Sequence, residues 1–499
     1  MNSKLVDTYY IDYLKMNPPI SHLKEKQPNI YSDEFTEAMK TLRETYIRKL
    51  KNKKKVTLQE KILLNDLQYE NKSHSQHRGL APGFPITLYS NIIIQYWEES
   101  NMNYSEKEKS LFIKKSESLY EITSSIILEF TKGISAGETI HKMIVNKMID
   151  NYDTILKKKL TEIQIHIITN LQILQDFMKH TYINHAGSLL GLHAISGGET
   201  EYRKLVKKNT FSIYTPEKIY KYGKQELKRL MKIKKKLQTM LGVDNIDDYV
   251  RKHKKISRNS ISDMEKIKEK LYESYTSFFN SKTIQKKELY SVEKIPKEEV
   301  YNGVYYKYQD KKGVVYIDNK MEISKQEMIV LSLHEGIPGH HLQLYLDGNK
   351  KVSNYSMSKK YNGFVEGWAF YCESLYHYDD IIEYYFKLQY DIFRTVRLVV
   401  DVGIHMYRWS FKKSFTYMKK YSAIFSDKNL QDEILRYSSI PGQALSYKIC
   451  GCFFKNLQDF FVGKHNMDIK KFHEIVLRNS PGPINVIGSV IISELREAL

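Results

Sequence analysis

The sequence predicts a mainly α-helical protein, built as one large helical body with a small β-hairpin. Most of the chain places apolar residues at three- and four-residue spacing among Lys and Glu, which is the pattern of amphipathic helices. One stretch, 304–317, alternates instead in the manner of strands. With 499 residues, 41% of them hydrophobic and 12% aromatic, the chain can bury a large core.

Nine segments carry the helical pattern. They are 104–132, 137–180, 215–240, 260–279, 324–337, 364–378, 381–420, 442–460 and 484–499. The third begins with Thr215-Pro216, where we expect Thr to cap the helix and Pro to occupy its first turn. Clusters of glycine and proline at 79–85 and of glycine at 196–199 predict loops. Because no clear linker divides the chain, an N-terminal helical part (1–200) and a C-terminal catalytic part (201–499) are expected to form one continuous unit.

The alternating stretch predicts the hairpin. Val304-Tyr-Tyr-Lys-Tyr308 and Val314-Val-Tyr-Ile317 are rich in β-branched and aromatic residues, which favour strands. The residues between them include Gly313 and predict a short glycine-containing turn. The hairpin ends shortly before the segment with the strongest chemical signal.

Composition excludes several classes of protein. Three cysteines (Cys372, Cys450 and Cys452) are too few for a disulfide framework in a chain of this size. No run reaches the roughly 18 apolar residues of a membrane-spanning helix. The first ten residues lack the basic-then-apolar pattern of a secretory leader. We therefore expect a cytoplasmic protein with no membrane partner.

The formal charge of +20 raises the question of a polyanionic partner. Residues 201–300 hold 26 basic and 14 acidic residues, so this fifth of the chain carries much of the excess. Within it, Leu227, Leu230 and Leu237 recur at helical spacing among lysines, which predicts a buried stripe opposite a solvated basic face. No nucleic-acid-binding motif accompanies the lysines, and nucleic acid is an unfavoured partner.

The segment Ile329-Val-Leu-Ser-Leu-His-Glu-Gly-Ile-Pro-Gly-His-His-Leu-Gln343 carries the strongest chemical signal. In zinc peptidases two His residues four apart bind the metal, and the Glu after the first is the general base. Here Pro338 stands at the fourth position. An unbroken helix would bring neither His340 nor His341 to an ion that His334 also binds. Proline and glycine break helices, and a bulge at Pro338-Gly339 would favour His340. His334 and His340 are then the predicted ligands, Glu335 the base, and His341 a neighbour that hydrogen-bonds or packs. The reverse assignment of His340 and His341 stays open.

A third ligand is expected from residues 363–373. Glu366 and Glu373 are seven apart and share a helix face two turns from one another. A buried carboxylate there needs a cation or a donor. We favour Glu366 as the ligand and Glu373 as its supporting partner or a structural ion pair, and the reverse assignment stays open. The predicted metal site therefore spans 334–373.

Four segments together carry a family resemblance: His334-Glu-Gly-Ile-Pro-Gly-His-His-Leu-Gln343, Gly363-Phe-Val-Glu-Gly-Trp-Ala-Phe-Tyr-Cys-Glu373, Arg394-Thr-Val-Arg-Leu-Val-Val-Asp-Val-Gly-Ile-His405 and Pro441-Gly-Gln-Ala-Leu-Ser-Tyr-Lys448. They resemble the family called domain of unknown function 885 (DUF885). The resemblance covers roughly residues 75–499, strongly after residue 300 and only loosely before residue 200. It implies a helical zinc-metallopeptidase-like fold, similar to the neurolysin and angiotensin-converting-enzyme group of gluzincins.

In that group a cleft lies between helical halves, and a strand beside the metal helix pairs with the peptide. The predicted hairpin is well placed to supply this strand. Carried over by motif, the resemblance assigns His340 as the second imidazole ligand, Glu335 as the catalytic acid and Glu366 as the third ligand. It further implies that Tyr447 or His405 donates a hydrogen bond to the oxyanion.

Arg397, Asp401 and His405 lie four apart, so a helix would stack them on one face. Asp401 is expected to hold Arg397 or to orient His405, and a purely structural ion-pair ladder is the competing interpretation. Arg394 or Arg397 could bind the C-terminal carboxylate of a substrate through a bidentate pair. Such a contact would make the protein a carboxypeptidase or a dipeptidase.

The predicted function is therefore a zinc-dependent metallopeptidase that hydrolyses short peptides, with Zn²⁺ as the cofactor. Zinc lowers the pKa of a bound water and polarises the scissile carbonyl, while Glu335 moves the proton. One alternative is an inactive family member that serves as a binding or scaffold protein. Another is a basic nucleic-acid-associated protein, which only the net charge favours.

Overall fold

A computed structural model of the chain describes residues 3–20, 27–74, 92–101, 104–158, 161–211, 213–280, 283–296, 303–309, 311–318, 320–350, 352–359 and 361–499. The loop predicted at 79–85 lies outside the described residues. The loop predicted at 196–199 is a turn in its first half only. Gly197, with φ at 70°, ends that turn, and a helix begins at Gly198.

The N-terminal helices in the described residues precede the sheet. They are α1 (Lys4–Met16), α2 (Asp33–Lys51), α3 (Leu58–His74), α4 (Ile92–Ser100), α5 (Glu106–Ser116), α6 (Leu119–Ser135), α7 (Lys142–Leu156), α8 (Ile165–His180), α9 (Gly198–Asn209), α10 (Pro216–Met240), α11 (Ile246–His253) and α12 (Ser260–Tyr275). The C-terminal helices follow the sheet. They are α13 (Lys325–Glu335), α14 (His340–Asn349), α15 (Asn354–Met357), α16 (Asn362–Cys372), α17 (Ile381–Met406), α18 (Phe411–Tyr421), α19 (Asp427–Ser439), α20 (Ser446–Gln458), α21 (Ile469–Arg478) and α22 (Ile484–Glu497).

The prediction of a mainly helical protein is confirmed. Three of the predicted segments each divide into two helices: 104–132, 137–180 and 381–420. The break between α17 and α18 has a steric cause. Arg408, with φ at 53°, turns the chain back, and the backbone N–H of Trp409 donates to the carbonyl of Gly403 at 3.0 Å. A Cβ at Gly403 would lie 2.6 Å from the Trp409 ring, so the indole covers the helix where a side chain would otherwise stand.

Helix α10 matches its prediction closely. The Thr215 side chain accepts from the backbone N–H of Lys218 and caps the helix, and Pro216 occupies its first position. Leu227, Leu230 and Leu237 are buried. The exposed face carries lysines at 218, 221, 224, 228, 232, 235 and 236. The basic stretch is thus an amphipathic helix whose charge faces solvent.

A three-stranded sheet stands between the two groups of helices in the sequence. Its strands are β1 (Ser291–Lys294), β2 (Val304–Gln309) and β3 (Lys312–Ile317), in the order β1-β3-β2. The predicted hairpin is confirmed: β2 pairs antiparallel with β3. Strand β1, which was not predicted, pairs parallel with β3.

The turn of the hairpin differs from the prediction. Gly313 lies inside β3 rather than in the turn, where Lys311 takes a positive φ of 62°. A Cβ at Gly313 would lie 2.4 Å from both the His341 Nδ1 and the Tyr306 hydroxyl. The glycine is therefore explained by the close approach of the histidine to the sheet.

The largest core cluster contains residues from both sides of position 200. Met148 and Leu174 belong to it, as do Val399 and Tyr437. Strand β2 packs against α13 and α14, which brings the sheet beside the His-Glu-His segment. Among the helices in the described ranges, none combines the length and apolarity needed to cross a membrane.

Candidate metal centre

The helix break expected at Pro338-Gly339 is present. Helix α13 ends at Glu335, and α14 begins at His340 after a four-residue turn. The Trp368 indole N–H donates to the Pro338 carbonyl at 2.9 Å, which ties the turn to α16. A Cβ at Gly339 would lie 2.0 Å from the His334 carbonyl oxygen, so the turn is too tight for any other residue. The break allows two histidines six apart to face one point.

Substituting Gly339 with alanine is therefore expected to destabilise the protein and to distort the histidine pair. The added methyl would press on backbone atoms that cannot move without unwinding α13, and we expect a loss of about 1–3 kcal/mol in the free energy of unfolding. Urea denaturation followed by circular dichroism measures the change. Gly463→Ala is the matched control, because no atom lies within 4 Å of a Cβ built there. Equal stability of the two variants would contradict the steric argument.

Two imidazoles and one carboxylate converge beyond this turn. The Glu366 Oε2 lies 3.6 Å from the His334 Nε2 and 3.5 Å from the His340 Nε2. Ligands about 2.0–2.1 Å from a tetrahedral ion stand about 3.3–3.4 Å apart, so these separations are close to the edges of a zinc site. His340 and Glu366 are nearly buried, and His334 is 5% exposed. The donor set and its spacing fit zinc.

Glu335 lies at the edge of the same group. Its Oε2 is 4.0 Å from the His340 Nε2, and its carboxylate falls within 4.8 Å of a nitrogen on each imidazole. Glu366 approaches both Nε2 atoms more closely than Glu335 approaches either, which fits Glu366 as the ligand. Glu335 is then a second carboxylate beside this group, close enough to accept a proton from a water molecule there.

Glu373 contacts the opposite side of the His334 ring. Its Oε1 lies 2.8 Å from the His334 Nδ1, and the Arg394 Nη2 lies 2.6 Å from the same oxygen. Glu373 is fully buried. A carboxylate on the remote nitrogen fixes the orientation and tautomer of a metal-binding imidazole. This geometry places Glu373 behind the histidine and Glu366 in front of it.

His341 is turned away from the cluster. Its Nδ1 lies 2.8 Å from the Tyr306 hydroxyl on β2, and its Nε2 lies 3.0 Å from the Glu288 carbonyl. Burial lowers the pKa of this imidazole to about 4, so it stays neutral. Both nitrogens are occupied, which leaves His340 as the imidazole that faces Glu366.

The electrostatics of the cluster favour a cation. Burial opposes the charged form of His334, but the Glu366 and Glu373 carboxylates overcome it and raise the pKa of this imidazole to about 9. Burial also opposes the charged form of Glu366, yet its hydrogen bonds to the two histidines hold its pKa well below the usual range. Burial raises the pKa of Glu335. The cluster thus collects positive charge at the point where the three ligand atoms meet.

Tyr447 reaches the cluster because α16 and α20 cross at very short range. A Cβ at Gly367 would lie 2.5 Å from the Cys450 Cβ, and one at Gly451 would lie 2.3 Å from the Phe370 ring. The half-buried Tyr447 ring lies nearly parallel to the His334 ring, at 12°, with centroids 6.3 Å apart. Burial and the Glu366 carboxylate raise the pKa of its phenol, which remains a donor at neutral pH.

The structure places His405 and Asp401 apart from the cluster. The His405 Nδ1 accepts from the Leu192 backbone N–H at 3.0 Å, and its Nε2 lies 3.0 Å from the Tyr437 carbonyl. With both nitrogens bonded to backbone, the ring cannot also donate to a substrate oxyanion. Asp401 accepts from the Tyr202 hydroxyl at 2.5 Å and from the Gly442 backbone N–H. The expected ladder from Asp401 to Arg397 or His405 is therefore not formed.

The two arginines singled out in the sequence have different surroundings. Arg394 is 5% exposed and forms an ion pair with Glu373. It therefore fixes the carboxylate that orients His334 and does not face a substrate. Arg397 lies 3.1 Å from Glu433 and contacts the Tyr447 ring. Sequence reasoning missed Glu433 and Arg436, which adjoin Arg397. Their three-residue spacing on one helix was the available signal, but such pairs are common on solvated helices.

A large helical body with a two-histidine, one-glutamate cluster at a broken helix defines the class of this protein. The model of the family described as "Bacterial protein of unknown function (DUF885)" matches residues 26–491. The chain belongs to this family.

Two solved structures share the fold. The "putative lipoprotein" from Colwellia psychrerythraea superposes with a TM-score of 0.83 at 18% identity, over 99% of this chain and 98% of that one. The "putative lipoprotein of unknown function" from Shewanella oneidensis gives a TM-score of 0.72 at 15% identity, over 98% and 99%. At these identities the likeness concerns the fold alone. No curated protein matches the chain.

Proposed function

We propose that this protein is a zinc-dependent hydrolase of peptide bonds in short peptides. The observation that carries the proposal is the position of the Glu366 Oε2, 3.6 Å from the His334 Nε2 and 3.5 Å from the His340 Nε2. Two imidazoles and one glutamate, with a further position open, are the ligand set of catalytic rather than structural zinc. Glu335 adds the acid-base group that amide hydrolysis requires.

A zinc ion held by His334, His340 and Glu366 would supply a Lewis acid and a bound water of lowered pKa. Glu335 accepts the proton of the attacking water at its carboxylate and returns it to the leaving amine. Glu373 and Arg394 keep the His334 ring in one orientation throughout. The amine would otherwise leave as an anion, so this proton return is needed to complete the cleavage.

The sheet supports a peptide substrate. In the order β1-β3-β2, strand β2 lies at one edge of the described sheet. An extended peptide can add to such an edge through main-chain hydrogen bonds. The Tyr306 hydroxyl on β2 contacts His341, the neighbour of His340, so this strand lies beside the segment that carries the cluster. The expected peptide-pairing strand of the resemblance therefore has a candidate in β2.

Tyr447 is the candidate donor to the oxyanion. We expect Tyr447→Phe to lower kcat by about 10²–10³-fold, the usual cost of one oxyanion donor, with KM and zinc content unchanged. Steady-state kinetics on a cleaved peptide, with metal analysis of the same sample, measures both. Tyr120→Phe is the control, because Tyr120 is 44% exposed and lies on α6. A change in KM alone would assign Tyr447 to binding.

The function itself is tested with purified protein and a mixed library of tri- to hexapeptides, read by mass spectrometry. We expect cleavage by the zinc-loaded protein, loss of cleavage after chelation and recovery when zinc is returned. A protein that binds one zinc per chain and cuts nothing would favour the binding or scaffold alternative. Polyanion binding that falls steeply with salt and is unaffected by His334→Ala would favour the nucleic-acid alternative.

A further inference from the structure

Two arginines share a single glutamate next to Tyr447. Glu433 accepts from the Arg436 Nε and Nη2 at 2.8 and 2.9 Å and from the Tyr437 hydroxyl at 2.7 Å. The Arg397 Nη2 forms an ion pair with it at 3.1 Å. Three of these four contacts are to its Oε2 and one is to its Oε1. Burial opposes its charged form, but Arg436 and Arg397 hold the pKa of its carboxyl at about 2. The group of three ionised side chains therefore carries one positive charge in excess.

Arg397 has donors to spare. A guanidinium has five N–H bonds, and Arg397 uses one for the Tyr437 hydroxyl and one for Glu433. In the part of the chain that the structure describes, its Nη1 has no hydrogen-bond partner, and this atom is not sealed from solvent. The side chain is 12% exposed, and that of Arg436 is 15% exposed. Unused donors on a positive group at a solvent-accessible position are suited to an anionic ligand.

The Tyr447 ring separates Arg397 from the proposed metal centre. The Arg397 guanidinium carbon lies 4.6 Å from the Tyr447 ring centroid, which in turn lies 6.3 Å from the His334 ring centroid. The guanidinium is therefore within about 11 Å of the His334 ring, a length that about three extended residues span. A group that Arg397 binds would be one to three residues from the bond at the metal.

We propose that Arg397, supported by Arg436, binds the free C-terminal carboxylate of the peptide, and that the protein is a carboxypeptidase that removes one to three residues. The cleavage step of this proposal rests on the proposed function, whereas the binding of the carboxylate does not. A planar guanidinium binds a carboxylate through two parallel hydrogen bonds. Glu433 fixes the plane of both arginines before the ligand arrives. Arg394, the other arginine expected to bind this carboxylate, is committed to Glu373.

The test compares two versions of each peptide in a tri- to hexapeptide mixture, one with a free C-terminus and one with a C-terminal amide. Equilibrium dialysis against the zinc-loaded Glu335→Gln protein, read by mass spectrometry, measures binding without turnover. Wild-type cleavage of the same peptides gives kcat and KM. The variants are Arg397→Gln, Arg397→Lys, which keeps the charge but loses the fork, and Arg478→Gln, a surface arginine paired with Glu494.

We expect the free acids to bind at least about tenfold better than the amides, as a charge-assisted pair would give. Arg397→Gln should remove this preference through KM, Arg397→Lys should retain part of it, and Arg478→Gln should leave it intact. Equal binding of acids and amides, binding of neither, or an unchanged preference for acids in Arg397→Gln would overturn the carboxylate site. If acids are preferred but nothing is cut, the binding site stands and the proposed hydrolase does not.

Discussion

Glu335→Gln is expected to reduce peptide cleavage by about 10²–10⁴-fold while the protein keeps its zinc. General acid-base groups contribute a rate factor of this size, and glutamine has the shape of glutamate without its basicity. Zinc should remain because Glu366 stands closer than Glu335 to the Nε2 atoms of His334 and His340. The measurement is kcat/KM on the best peptide of the library, paired with zinc content by atomic emission.

Glu327→Gln is the matched control for this variant. Glu327 lies on the same helix, α13, and its Oε1 accepts from the Tyr390 hydroxyl at 2.9 Å, a bond that a glutamine oxygen can also accept. It should therefore cleave like the wild type. If Glu335→Gln instead lost its zinc, Glu335 would be a ligand, and the base would have to be sought elsewhere.

His340→Ala should abolish zinc binding and His341→Ala should not. His340 supplies one of three ligand atoms, and its loss should weaken zinc affinity by more than the about 10–100-fold that outer partners contribute. His341 bonds to Tyr306 and to the Glu288 carbonyl. Its removal leaves those partly buried groups without this partner and should lower the free energy of unfolding by about 1–3 kcal/mol.

Zinc affinity by competition with a chromogenic chelator, and urea denaturation on the same samples, separate the two effects. The adjacent histidines control for one another, because each variant removes one imidazole from the start of α14. Retention of zinc by His340→Ala together with its loss from His341→Ala would reverse the assignment and would require the turn at Gly339 to adopt another path.

Much of the fold follows from local patterns. The cap at Thr215, the stripe of α10 and the alternation of β2 and β3 are each decided within a few residues, and all three are confirmed. Strand β1 was missed because four residues paired in parallel with a distant strand have no periodicity of their own to detect. The end of α17 was missed because it depends on an indole packing against Gly403, a contact that helical spacing does not encode.

The candidate site, like the fold, could be predicted from the sequence only in part. The pairing of His334 with His340 could be predicted because Pro338 and Gly339 forbid a straight helix between them. The surroundings of Asp401 and His405 could not be predicted from their spacing of four. Each side chain accepts a hydrogen bond from another element. Asp401 accepts from the Tyr202 hydroxyl, and His405 accepts from the Leu192 backbone N–H. Spacing predicts which side chains share a face, while packing between elements decides which partner each one meets.

The pair formed by Glu373 and Arg394 determines the order in which folding and binding of the proposed zinc would occur. In a zinc finger the metal builds the structure, so chelation unfolds the domain. Here His334 is already oriented by two buried charges, one at the C-terminal end of α16 and one on α17, and the entropy of ordering it is lost when the chain folds. With the proposed zinc, the folded protein would release the ion and take up another without unfolding, so metal supply would regulate its activity and not its stability.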